Sequence, residues 1–240
     1  MRGHGGIGHD ADRFECADAA GGGERPTMSA MKRIDPLRRA LVAVLALAPL
    51  ASFGAGPPVI LVLGDSISAG FGLPPGTGWT HLLQQRLAER GYPHRVVNAS
   101  ISGDTTAGGR SRLPLLLARH KPAIVVIELG GNDGLRGGSL AATRENLVAM
   151  VGAAKSAKAR PMIVGMKLPP NYGAAYARQF DALFAEVAKA ERVPLVPFFF
   201  DGFAENRDLF QADGIHPTEG AQPKLLDNLW PTLERMLKER

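Results

Sequence analysis

Residues 59–72, "VILVLGDSISAGFG", run an apolar segment of strand length directly into Gly64, Asp65, Ser66 and Ser68. Five consecutive branched aliphatic residues without alternation suit a strand buried on both faces, as in parallel sheets. Four further runs of the same kind follow: "RVVNAS" (95–100), "AIVVIEL" (123–129), "MIVGMKL" (162–168) and "VPLVPF" (193–198). Each is bounded by Gly, Pro, Asn or Asp, and all five are expected to be fully buried strands.

Between them the apolar period changes to that of helices. In "WTHLLQQRLAER" (79–90), Leu82, Leu83 and Leu87 share one face, and Gly91 ends the segment. Similar spacing predicts helices over roughly 106–120, 140–159, 174–191 and 219–238. Five strand–helix alternations predict an α/β fold, a parallel sheet between two helical layers joined by right-handed crossovers. Strand order is not readable from this pattern. In such sheets ligands bind beyond the carboxyl ends of the strands, so the chemistry is sought in the loops that follow them.

Composition narrows the partners. The chain has 240 residues, 45% of them hydrophobic, enough for a substantial core, and its formal charge is +5. Lys and Arg are scattered instead of forming a stripe, which argues against nucleic acid. The single cysteine, Cys16, allows neither a disulfide framework nor a Cys-based zinc site.

The N-terminal region reads as targeting sequence. "MKRIDPLRR" from Met31 and the apolar "ALVAVLALAPLASF" form a secretory signal peptide over residues 31–55, ending in small residues. The apolar run is too short for a spanning helix, which needs about 20 residues. The product is expected to be periplasmic or secreted, with no stable membrane anchor. Residues 1–30, rich in Gly, Ala and charge, are expected to be disordered or to precede the true start. His4, His9 and Asp10 there lack surroundings that would orient them on a metal. Residues 56–240 then form the folded domain. Without residues 1–55 the charge is +4, from 21 Lys and Arg against 17 Asp and Glu.

Ser66 follows a buried strand, where a tight turn can lift its hydroxyl to the sheet edge. On "DS" alone, helix capping is the commoner role. "DGIHP" changes the balance. Asp213 and His216 stand three residues apart, so one turn can present carboxylate and imidazole together. A carboxylate on one ring nitrogen fixes the tautomer and stabilises the imidazolium formed when the other nitrogen takes a serine proton. Gly103 in "SGD" can offer an unobstructed N–H, and Asn132 in "GGND" a side-chain amide, to the oxygen of an attacked carbonyl. His81, His94 and His120 have no such neighbours and are read as ordinary surface or core residues.

Taken in order, "GDSIS", "SGDTT", "GGNDGLRG" and "DGIHP" resemble the signature blocks of the SGNH or GDSL hydrolases. With "NASISGDTTAGG", "LPPNYG" and "GIHPTEGAQP", residues 59–232 are similar to its bacterial periplasmic thioesterase, lysophospholipase and arylesterase branch. The resemblance implies a flavodoxin-like three-layer α/β/α sandwich with a five-stranded parallel sheet. It implies Ser66 as nucleophile, His216 as general base then acid, and Asp213 as its orienter. Ser66 N–H, Gly103 N–H and Asn132 would form the oxyanion hole. It further implies acyl transfer to water from small-molecule esters or thioesters, without metal or organic cofactor, by a monomer.

Leu135 in "GLRGG", with Leu168 and Tyr172 in "LPPNY", could wall an apolar acyl chain, each buried methylene contributing about 0.8 kcal/mol. Two rival functions are weighed. A carbohydrate O-deacetylase would use the same triad, but Trp79 and Trp230 lie outside the expected catalytic loops. A non-catalytic nucleotide or flavin module would need G-x-G-x-x-G after the first strand, where Gly70 and Gly72 lack the following glycine, or G-x-x-x-x-G-K-[ST], which does not occur. The G-x-S-x-G elbow is also absent, since Ser68 holds its last position.

Overall fold

The structure is a computed structural model, and it describes residues 56–239. The expected signal segment, 31–55, and residues 1–30 lie outside the described residues. Five strands form one parallel sheet: β1 (Val59–Gly64), β2 (Arg95–Asn98), β3 (Ile124–Glu128), β4 (Arg160–Val164) and β5 (Leu195–Val196). Their spatial order is β2-β1-β3-β4-β5.

Among the described residues seven α-helices accompany the sheet: α1 (Ser66–Ala69), α2 (Trp79–Glu89), α3 (Thr106–His120), α4 (Gly131–Leu135), α5 (Leu140–Ser156), α6 (Ala174–Glu191) and α7 (Gln222–Lys238). Helices α2 and α7 pack together on one face of the sheet, while α3, α5 and α6 pack side by side on the other. Every residue of β1 and β3 is buried, as their unbroken apolar runs require. Trp79 and Phe199 meet edge to face on the first side, and Phe180 and Phe184 on the second, with ring centroids 5.5 and 5.2 Å apart. Leu83 and Leu87 of α2 are fully buried, whereas Leu82 is half-buried at the edge of that face.

Three expectations are corrected. Strand β2 is not buried on both faces: it is an edge strand whose Arg95 and Asn98 are exposed, and it ends at Asn98 instead of Ser100. Strand β4 begins at Arg160 and ends at Val164, two residues earlier at its start than the apolar run and four earlier at its end. Strand β5 contracts to two residues because Pro194 and Pro197 flank it and cannot donate to a ladder.

The order of strands decides where a site can form. From β1 the chain goes to β2 on one side and then crosses to β3 on the other, so connectivity reverses between β1 and β3. Adjacent crossovers diverge there and leave a crevice beyond the strand ends. Ser66 follows β1 and Asn132 lies just beyond β3, one on each lip of that crevice.

Candidate active site

The turn after β1 is shaped for a close approach. A Cβ at Gly64 would lie 2.7 Å from Glu128 Oε2 and from Ser68 Cβ, so only glycine fits between the sheet and α1. Asp65 caps α1 by accepting the Ile67 N–H at 3.0 Å, and Gly70 ends the helix in the left-handed region at φ 75°. Ser66 is therefore the first residue of a single helical turn. Its N–H has no partner within that turn, and its hydroxyl faces the crevice.

Opposite stands the loop before α7. Asp213 Oδ1 accepts the N–H groups of Ile215 and His216 at 2.9 and 3.0 Å, folding the loop around its carboxylate. Asp213 Oδ2 lies 2.6 Å from His216 Nδ1, and His216 Nε2 lies 2.9 Å from Ser66 Oγ. The carboxylate requires a proton on Nδ1, which leaves the Nε2 lone pair to accept the Ser66 hydroxyl hydrogen. Burial pushes the Asp213 carboxyl upward, but hydrogen bonds from the His216 main chain and ring and from Ile215 N–H outweigh it and hold the group at about 2. Phe71 lies against the imidazole, with ring centroids 4.5 Å apart.

Asn132 donates its amide hydrogens to Asp104 O at 2.9 Å and to Asp65 Oδ2 at 3.1 Å. The β2–α3 loop that carries Gly103 is drawn to the same end of the sheet by Ile101 N–H donating to Gly64 O at 3.1 Å. Gly103 takes φ 77°, and its carbonyl accepts from Arg136 at 3.1 Å. Its N–H donates to no main-chain carbonyl of the described residues.

A cavity of about 800 Å³ opens beside these groups. Ser66, Asn132, Leu135, Leu168, Tyr172, Asp213 and His216 all line it, with Ile67, Met166, Phe198, Phe200 and Phe210 adding apolar surface. Gly103 is the one candidate residue outside this lining. Trp79 and Trp230 are buried in the core and offer no platform to a sugar.

Three polar residues that sequence reasoning missed support the site. Glu128 is fully buried and its Oε2 lies 2.5 Å from Ser68 Oγ. Its signal was a lone charge in an otherwise apolar strand. Asp133 accepts from the Thr106 N–H at 2.9 Å and its hydroxyl at 2.5 Å, tying α4 to the start of α3. Gln211 donates through Nε2 to Phe71 O at 2.8 Å and to Pro217 O at 3.2 Å, while its N–H donates to His216 O at 2.8 Å. It thus joins the loop after Ser66 to the loop that carries His216.

A serine hydroxyl aligned on an imidazole that is itself held by a carboxylate, at the switch point of a parallel sheet, defines a serine hydrolase. Residues 62–222 match the model of the GDSL-like lipase/acylhydrolase family. Esterase TesA of Pseudomonas aeruginosa is 54% identical over 183 residues, 76% of this chain and 91% of that protein. Thioesterase 1/protease 1/lysophospholipase L1 of Escherichia coli K12 is 42% identical over 173 residues, 72% and 82% of the two chains. The crystal structure of esterase EstA from a Pseudoalteromonas species, inhibited by monoethylphosphonate, superposes with a TM-score of 0.72 at 37% identity. It covers 75% of this chain and 99% of its own. The chain belongs to the GDSL-like lipase/acylhydrolase family and is an ester hydrolase.

Proposed function

We propose that the protein hydrolyses acyl esters and thioesters through an acyl-enzyme on Ser66. The observation that carries this reading is the continuous hydrogen-bonded chain from Asp213 through His216 to Ser66 Oγ. Ser66 Oγ attacks the substrate carbonyl carbon as His216 Nε2 takes its proton. The carbonyl oxygen becomes an oxyanion that Ser66 N–H and Gly103 N–H receive, joined by the Asn132 amide as it exchanges one of its two present acceptors, Asp65 or Asp104 O, for the oxyanion, each donor contributing about 3 kcal/mol. The tetrahedral intermediate expels the alcohol or thiol, which takes the proton from His216. Water then attacks the acyl carbon as His216 takes its proton, and the second tetrahedral intermediate releases the acid as His216 returns that proton to Ser66 Oγ.

The lining of the cavity supports this substrate class. Leu135, Leu168, Tyr172 and the phenylalanines after β5 supply an apolar wall for an acyl chain, and Lys167 and Arg207 add cations suited to a phosphate-bearing leaving group. Acyl-CoA, lysophospholipids and aryl esters fit this lining better than acetylated sugars. The cationic and apolar segments from Met31 to Phe53 support export to the periplasm or beyond, with the processed enzyme acting as a monomer.

The test is labelling by a fluorophosphonate, followed by peptide mapping, in the wild type and in Ser66→Ala. An adduct on Ser66 that disappears in the variant is expected; an adduct on another serine would overturn the assignment.

A further inference from the structure

Two carboxyl groups lie beneath the nucleophile and take no direct part in acyl transfer. Asp65 is 2% exposed and Glu128 is fully buried. Asp65 spends one oxygen on the Ile67 N–H and the other on Asn132 Nδ2. Asn132 has only two amide hydrogens, and both are engaged, one by Asp104 O and one by Asp65. Asp104 O is a main-chain carbonyl fixed by its loop. The Asp65 carboxylate is therefore the only partner of this amide that can change charge.

Below Asp65, Glu128 reaches from the end of β3 to the Ser68 hydroxyl and holds α1 onto the sheet. Glu128 Oε1 has no hydrogen-bond partner among the described residues. Burial and the neighbouring Asp65 favour its neutral acid, against the Ser68 hydroxyl and the main-chain N–H groups of Asp65 and Ser68, which favour the carboxylate.

We infer that Asp65 is a positioning residue for the oxyanion hole: its carboxylate aims the Asn132 amide, and Glu128 keeps Asp65 in place through Ser68. The kinetic part of this inference rests on the esterase reading given above; the placement of the amide does not.

The charge environment sets when the device operates. Burial raises the Asp65 carboxyl to about 6, against hydrogen bonds from Ile67 and Asn132 and the attraction of His216, while Asp104 adds to the rise. Burial and the neighbouring Asp65 push Glu128 well above the usual carboxylate range. The titratable and charged groups facing Asp65 are thus Glu128 from β3, Asp104 with its ion-pair partner Arg112, and His216. Asp65 consequently gains its charge as pH rises through about 6. It then grips the amide and also favours the imidazolium that forms during turnover.

The side-chain NH₂ resonances of Asn132 report the device without substrate. They should titrate between pH 5 and 7.5 in the wild type and in His216→Ala, which removes the imidazole as a source, and stay fixed in Asp65→Asn. No movement in the wild type, or the same movement in Asp65→Asn, would overturn the inference. In kinetics Asp65→Asn, an isosteric cap, should lower kcat for p-nitrophenyl octanoate about ten- to a hundredfold with KM within about twofold. Loss carried by KM alone would count against a positioning role. Glu128→Gln should recover most of the kcat that Glu128→Ala loses, and equal losses would remove Glu128 from the device. If the wild type hydrolyses no ester while the Asn132 resonances still titrate, the esterase reading fails and the placement of the amide stands.

Discussion

Ser66 Oγ and His216 Nε2, 150 residues apart in the chain, lie 2.9 Å from each other across the carboxyl edge of the sheet. Two independent clamps produce this meeting. Asp65 sets the start of α1 from one side, and Asp213 gathers the His216 loop from the other. Removing either half of the triad therefore has a distinct expected outcome.

His216→Ala removes the base that is hydrogen-bonded to Ser66 Oγ and should lower kcat by about 10⁴ or more. Asp213→Asn keeps an oxygen for the N–H groups of Ile215 and His216, so the loop should hold. Its amide would face Nδ1, however, and turn the imidazole to the tautomer whose Nε2 donates instead of accepting. A loss of about 10³–10⁴ in kcat is expected, with thermal melting within a few degrees of wild type. Steady-state rates on p-nitrophenyl octanoate check both, and an unchanged kcat in either variant would contradict the triad.

Gln211 should matter although it touches no reacting atom. It donates to Phe71 O and Pro217 O, and its main-chain N–H donates to His216 O. Gln211→Ala leaves the main-chain carbonyls of Phe71 and Pro217 to water and lets the two loops separate. A displacement of about 1 Å at such a site costs up to a hundredfold, so a drop of about tenfold in kcat is expected, and Gln211→Glu should not restore it because the carboxylate has no hydrogen to donate.

Opposite pH dependences are expected from the two aspartates. Asp213 lies at about 2, below its ordinary 3.8, so the stability it contributes is present at neutral pH and lost as pH falls through 4 towards 2. Asp65 lies at about 6, above 3.8, so wild type is more stable when Asp65 is protonated and loses stability as pH rises from 4 to 6. The upward shift corresponds to about 3 kcal/mol. Urea denaturation at pH 4.5 and 7.5 should show Asp65→Asn gaining on the wild type at the higher pH; a constant difference would contradict the buried charge.

The alternation of apolar runs with helical spacing made the layered α/β fold legible, because strands covered on both faces leave no polar alternation. Edge position was not legible in "RVVNAS": its apolar residues match those of a central strand, and only pairing shows that one side lacks a neighbour. Helix α6 matched its expected span because its apolar residues recur on one face and Gly173 and Arg192 end it with positive φ. Ser66, Asp213 and His216 could be read because their residue types and spacing are chemically unusual for loops. Glu128, Ser68 and Gln211 could not, since each acts through a partner distant in the chain: 60 residues between Ser68 and Glu128, and 140 between Phe71 and Gln211.

Gly64 is the residue by which the fold admits this site. A methyl group there would press on both Glu128 Oε2 and Ser68 Cβ, which belong to two buried side chains hydrogen-bonded through Ser68 Oγ. Gly64→Ala should destabilise the protein by about 1–3 kcal/mol, the usual range for overpacking, and should lower kcat by shifting α1. Chemical denaturation and initial rates measure the two effects, and a silent substitution would show that the turn has room to relax.

The acyl chain preference should reside in the wall that follows β4. Leu168 and Tyr172 line the cavity together with Leu135 from α4. Each methylene of a chain lying against them contributes about 0.8 kcal/mol when fully buried, so octanoyl esters should be favoured over acetyl esters in kcat/KM. Leu168→Ala removes part of that surface and should reduce the octanoyl-to-acetyl ratio about three- to tenfold, while acetyl hydrolysis stays close to wild type because a two-carbon acyl group does not reach the wall. Comparing p-nitrophenyl acetate, butyrate and octanoate on the two enzymes separates the outcomes. A parallel fall on all three esters would place Leu168 in the scaffold of the triad, and an acetyl preference in the wild type would exclude this cavity as the acyl site.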